Sequence, residues 1–132
     1  MTKWLNSLQP FGALLMRLVL GASMAIHGYQ KVIPNGALHH YAHYVVTLGL
    51  PYWLGYVSAF TEFIGGIFLI IGLFTRLAAF LVAINMLVAF ATVGVHEGFG
   101  IYMNILALAA IALMLLFAGA GSLSFDRKIG FA

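Results

Sequence analysis

Four long apolar stretches, separated by short polar breaks, set the plan of the chain. The first follows a polar start, Met1 to Gln9 with Lys3 and Trp4, and carries apolar residues from Phe11 to Ile26. Pro10 suits its opening turn, where a helix leaves N–H groups unpaired in any case, so a span is predicted over about 10–31. The second runs over 52–73, apolar throughout except for small polar residues and one carboxylate, Glu62, close to its middle. Thr75 and Arg76 turn into a third span over 75–95, whose polar stripe of Asn85, Thr92 and His96 falls on one helical face. The fourth covers 99–118, with Tyr102 and Asn104 in its first turns; Gly119 and Gly121 stop it, and a small polar tail follows with Asp126, Arg127 and Lys128. Each run is long enough, at ~20 residues, to cross the hydrocarbon core of a bilayer.

The connection over 32–51 is too polar to span. On a helical wheel Asn35, Gly36, His39, His40, His43 and Thr47 share one face, while Leu38, Tyr41, Ala42, Val45 and Leu48 share the other. This pattern predicts a short amphipathic helix on the membrane surface, closed by Gly49 and Pro51.

Composition agrees with this plan. With 64% hydrophobic and 7% charged residues, the chain lacks the roughly 25% of charged residues typical of a soluble domain. The expectation is an all-α integral membrane four-helix bundle, one domain over 1–132. A signal peptide cleaved after Ala25 is disfavoured by Arg17, which would interrupt its hydrophobic region. The net charge of +3 rests on too few residues to suggest nucleic acid as a partner. No cysteine is present, which excludes thiolate metal centres and thiol–disulfide chemistry in this chain; electron chemistry would need a bound cofactor, a quinone or a partner. Four spans put both termini on one side, with Lys3, Arg76, Arg127 and Lys128, whereas on the other only Lys31 adjoins a span. The positive-inside rule then predicts cytoplasmic N- and C-termini and the plasma membrane, a bacterial inner membrane, as the location. The histidines, Glu97 and an aromatic belt including Tyr29, Tyr52, Trp53, Tyr56 and Tyr102 are expected on the opposite side.

An ionised carboxylate at mid-membrane needs a partner. With the first two helices antiparallel, Arg17 lies about 5 Å from the middle of its span at ~1.5 Å per residue, so an Arg17–Glu62 pair is expected as the polar centre. Arg17 shares a face with Gly21, Met24, Gly28 and Lys31, the spacing of a helix contact. One reading makes the pair a structural lock, with Asn85 and Asn104 adding interhelical hydrogen bonds. The other makes Glu62 a proton carrier or quinone partner in a polar cavity. His27 and His96, expected at similar depth near the outer ends of the first and third spans, are candidates for proton transfer or ligation. His39 and His43, at i, i+4, are better read as the wet face of the surface helix than as metal ligands.

Taken together, RLVLGASMAIHGYQK (Arg17 to Lys31), GLP (Gly49 to Pro51), EFIGGIFLIIGLFTRLAAFLVAINM (Glu62 to Met86) and GAGSLSFD (Gly119 to Asp126) resemble the DoxX family of small four-helix membrane proteins. The resemblance links the chain to a family associated by name with a subunit of a thiosulfate:quinone oxidoreductase, with oxidative stress and with membrane redox assemblies. It therefore implies a quinone as cofactor or a redox protein as partner. Two departures stand out. Tyr102 and Met103 precede Asn104 where many relatives carry an acidic residue, and Gly119-Ala120-Gly121 stands where a proline is common. The first removes one carboxylate from any two-carboxylate proton route.

Three functions fit these residues. One is an accessory subunit of a quinone-linked redox system, with Glu62, His27 and Arg17 handling protons and charge and with Arg17, Glu62, Asn85 and His96 around the cofactor. The second is a non-enzymatic scaffold for a partner complex or homo-oligomer, suggested by the glycine-rich helix faces. The third is a small transporter or metal-handling protein that uses the outer histidines.

Overall fold

The structure is a computed structural model and describes residues 2–130. The described residues form helices and turns, with no strand: α1 (Thr2–Ser7), α2 (Gln9–Val32), α3 (Ala37–Thr47), α4 (Tyr52–Ile71), α5 (Thr75–Thr92), a 3-10 turn at Gly94–His96, α6 (Phe99–Ala118) and α7 (Phe125–Ile129). Helices α2, α4, α5 and α6 are long and apolar enough to cross a membrane. They match the four expected spans, except that α5 stops at Thr92 and gives way to the 3-10 turn. Large apolar side chains such as Leu18, Ile26, Ile64, Leu77, Leu87 and Phe117 remain exposed on the bundle's flanks, as a helix surface that faces lipid requires.

Antiparallel α2 and α4 pack through glycine. A Cβ on Gly28 would collide with the backbone of Phe63, one on Gly21 would lie 2.7 Å from the Gly66 carbonyl oxygen, and one on Gly66 would meet the Ala25 backbone. These contacts fix the register, since backbones this close cannot slide past any larger residue. Gly28 opposite Phe63 places the end of α2 about two turns, ~10 Å, short of the start of α4. Helix α3 fills that gap. Its Ala42 lies against Gly55, where a Cβ would approach the Ala42 Cα to 2.6 Å. Ala42 and Val45 are buried on α4, whereas His39, His40, His43 and Thr47 are exposed, the two faces expected from the sequence. Leu20, Met24, Leu69, Val82, Ala112 and Leu115 belong to the core cluster that joins α2, α4, α5 and α6.

At the opposite end the C-terminal segment folds back over the α4–α5 turn. Gly72, at φ 74°, closes α4, and Phe74 adopts φ 49°. The Asp126 carboxylate accepts from the Phe74 N–H at 2.6 Å and from the Thr75 N–H at 2.7 Å, while the Asp126 N–H donates to the Gly72 carbonyl at 2.9 Å. A residue some fifty positions away thus serves as the N-cap of α5, with its negative charge at the positive end of the helix. Gly121 sits against Ala13 of α2, so both ends of the described chain lie at the same end of the bundle.

Candidate functional site

The register of α2 on α4 decides which charges meet. The position opposite Glu62 lies near Tyr29, about twelve residues or ~18 Å along the axis from Arg17. The expected Arg17–Glu62 pair is therefore absent. Equal helix lengths had suggested that the span centres align; the glycine contacts instead shift α2 along α4.

Glu62 is paired with Lys31. The Lys31 Nζ donates to Glu62 Oε2 at 2.7 Å, and Asn85 Nδ2 donates to Glu62 Oε1 at 3.1 Å. Ser58 Oγ donates to Asn85 Oδ1 at 2.5 Å, which fixes the amide so that its NH2 faces the carboxylate. The single Ser58 proton being used there, Tyr41 OH donates to Ser58 Oγ at 3.0 Å. The Lys31 ammonium stands 4.3 Å from the Tyr41 ring centroid and closes the circuit. Five side chains from α2, α3, α4 and α5 thus form one polar ring. Lys31 retains exposure on part of its side chain while Glu62 is buried, so the ring has a wet edge and a dry edge.

The ring forms one wall of a cavity of about 860 Å³. His27, Lys31, Glu62, Asn85 and Asn104 line it, together with apolar residues from α2, α3, α4, α5 and α6. Asn104 has no hydrogen-bond partner among the described residues. Helix α3 contributes Tyr41, Tyr44, Val45 and Leu48, so its apolar face closes the cavity as well as packing on α4. A largely apolar chamber with a few convergent polar groups is the usual form of a small-molecule site.

Of the residues singled out from the sequence, Glu62, Asn85, Asn104 and His27 meet at this cavity, though Asn104 does not make the interhelical hydrogen bond expected of it; Arg17 and His96 do not line the cavity. Arg17 is fully buried near the other end of the bundle. Its Nη1 donates to the carbonyls of Leu69 and Ile70 at 3.2 and 3.3 Å, and its Nη2 to the Leu123 carbonyl. It therefore holds the C-terminal end of α4, where unpaired carbonyls and the helix dipole favour a cation, and ties the C-terminal segment to it. His96 is exposed on the 3-10 turn. His39 stacks on His43 with ring centroids 6.2 Å apart and hydrogen-bonds Tyr52, whose hydroxyl lies 3.2 Å from that of Tyr56.

Sequence reasoning missed Lys31, Ser58, Tyr41 and Asp126. The face shared by Arg17, Gly21, Met24, Gly28 and Lys31 already marked both cations as facing a neighbouring helix; only the register separates the one that meets Glu62 from the one that does not.

Comparison with known proteins identifies a family. The DoxX family model matches residues 12–97, the stretch from α2 through the 3-10 turn that holds the whole polar ring. A Bacillus subtilis protein named "Putative oxidoreductase CatD" is 31% identical over 96 residues, covering 72% of this chain and 69% of that protein. An "Uncharacterized protein" of Haemophilus influenzae is 28% identical over 139 aligned positions, covering 94% of this chain and 95% of its own. No solved structure gives a significant match. The chain belongs to the DoxX family.

Proposed function

We propose that the protein is an accessory component of a quinone-linked membrane redox system and that the cavity beside Lys31, Glu62 and Asn85 holds the quinone head. The observation that carries this reading is the polar ring itself, set in an otherwise apolar chamber of about 860 Å³. The donor set fits such a head: Asn85 Nδ2 uses one N–H on Glu62 and keeps one, Lys31 keeps N–H groups beyond its bond to Glu62, and Asn104 offers an unpaired amide. Both kinds of donor suit carbonyl oxygens. A bound quinone supplies the capacity to take up two electrons and two protons, and a partner redox protein would deliver the electrons because the chain has no cysteine. Glu62 orients Lys31 through their 2.7 Å contact. His27 also lines the cavity, and in this reading it would relay protons between cavity and surface. Arg17, buried at the α4 end, has a structural role in this reading.

The relationship to a protein named as an oxidoreductase supports the redox class. The scaffold alternative loses its main motivation, because Gly21, Gly28, Gly55 and Gly66 are occupied by contacts within the chain. The test is saturable binding of a short-tailed benzoquinone to the purified protein in lipid nanodiscs. Asn85→Leu is expected to weaken it roughly tenfold, by about 1.4 kcal/mol, while His39→Ala with His43→Ala leaves it unchanged. Absence of saturable binding, or indifference to Asn85→Leu, would rule the reading out.

A further inference from the structure

A second concavity, a groove of about 450 Å³, runs along the seam between α4 and α5. Val57, Thr61 and Leu81 line both it and the cavity, so the two lie side by side with these three side chains between them. The groove leads away from the polar ring toward the α4–α5 turn. Its walls are Phe60, Ile64 and Phe68 from α4 and Leu77 and Leu81 from α5, with Phe74 at the far end. The Phe68 and Phe74 rings, 6.1 Å between centroids, lie at that end. From Val57 to Phe68 the groove follows α4 for eleven residues, ~16 Å at ~1.5 Å per residue. The side chains of the polar ring lie on the cavity side, and the groove is lined mostly by apolar side chains.

We propose that the ligand is a single-tailed lipid, its compact neutral head in the cavity against Asn85 and Asn104 and the first ~16 Å of its tail in the α4–α5 groove. The inference rests on the reading of the cavity as a ligand site and adds the shape of the molecule. Two observations favour this occupant over a bulk phospholipid. Glu62 lies at the midpoint of α4, at a depth where phospholipid phosphates are not found. The Lys31 charge there is already neutralised by Glu62, which leaves no free cation to hold a phosphate.

The geometry makes tail length the variable to test. Three benzoquinones with one head and no tail, a decyl tail or a much longer prenyl tail would be titrated into the full chain in nanodiscs, with affinities corrected for partition into lipid. The decyl compound should bind roughly tenfold more tightly than the tailless one, and the longer tail should add little. Ile64→Trp with Leu77→Trp, both exposed on the groove and remote from the donors, should erase the gain while the tailless head still binds. A decyl compound carrying a photoreactive diazirine at the tail end should label Phe68, Phe74 or Leu77.

Equal corrected affinities with scattered labelling, while the tailless compound still binds, would overturn this inference and leave the quinone reading standing. No binding of any of the three would overturn both. Phospholipid retained by the purified protein and not displaced by the decyl compound would also overturn the inference.

Discussion

A carboxylate at the midpoint of a membrane helix persists only where a cation and hydrogen-bond donors meet it, and Glu62 has both in Lys31 and Asn85. Breaking one partner should cost more than removing both. Lys31→Met is expected to destabilise the bundle by about 3–5 kcal/mol, and Lys31→Met with Glu62→Leu to recover much of that. Reversible unfolding in bicelles would measure it; equal losses in the single and double variants would argue against a buried pair. Arg17 acts elsewhere, through three backbone carbonyls. Arg17→Met should cost about 3 kcal/mol by leaving buried acceptors without a charged donor. Arg17→Lys should restore only part of it, because an ammonium does not span α4 and Leu123 with a planar fork. If Arg17→Met instead abolished quinone binding in a protein of unchanged stability, the structural assignment of Arg17 would be wrong.

At the scale of elements, the spans were legible because ~20-residue apolar runs have few alternative fates. The amphipathic α3 was legible from its histidine face. Register was not, since helix length carries no information about which turn of α2 meets which turn of α4; the answer lies in backbone approach at Gly21, Gly28 and Gly66. Gly28→Val should therefore cost about 1–3 kcal/mol through overpacking. Gly12→Ala, with nothing within 4 Å of the added Cβ, should be neutral or stabilising by up to about 1 kcal/mol. Similar effects at the two sites would contradict the packing described. Asp126 was illegible for a different reason: an acid in a polar tail looks solvated, and its target amides at Phe74 and Thr75 are remote in sequence. Asp126→Ala is expected to remove about 1–2 kcal/mol of capping and to raise hydrogen exchange at Phe74 and Thr75 first. Uniform protection there would show that the cap is dispensable.

On the scale of the whole molecule, two anchored regions divide the bundle. Arg17 and Asp126 hold the end that carries both termini, while the Lys31–Glu62–Asn85 ring organises the cavity toward the α3 end. Lys3, Arg76, Arg127 and Lys128 are the basic residues of the terminal end, and from the positive-inside rule we propose that this end is cytoplasmic. Impermeant thiol reagents applied from outside should label His43→Cys and spare Lys128→Cys; the reverse pattern would invert the topology. The polar ring as a holder of a quinone head is tested most directly by infrared difference spectroscopy of a short-tailed benzoquinone labelled with carbon-13 at its carbonyls. Binding to the wild-type protein should shift the carbonyl stretch to lower frequency, as hydrogen bonding from Asn85, Asn104 or Lys31 requires, and Asn85→Leu should reduce that shift. A carbonyl band identical to that of the quinone in lipid alone would contradict the account.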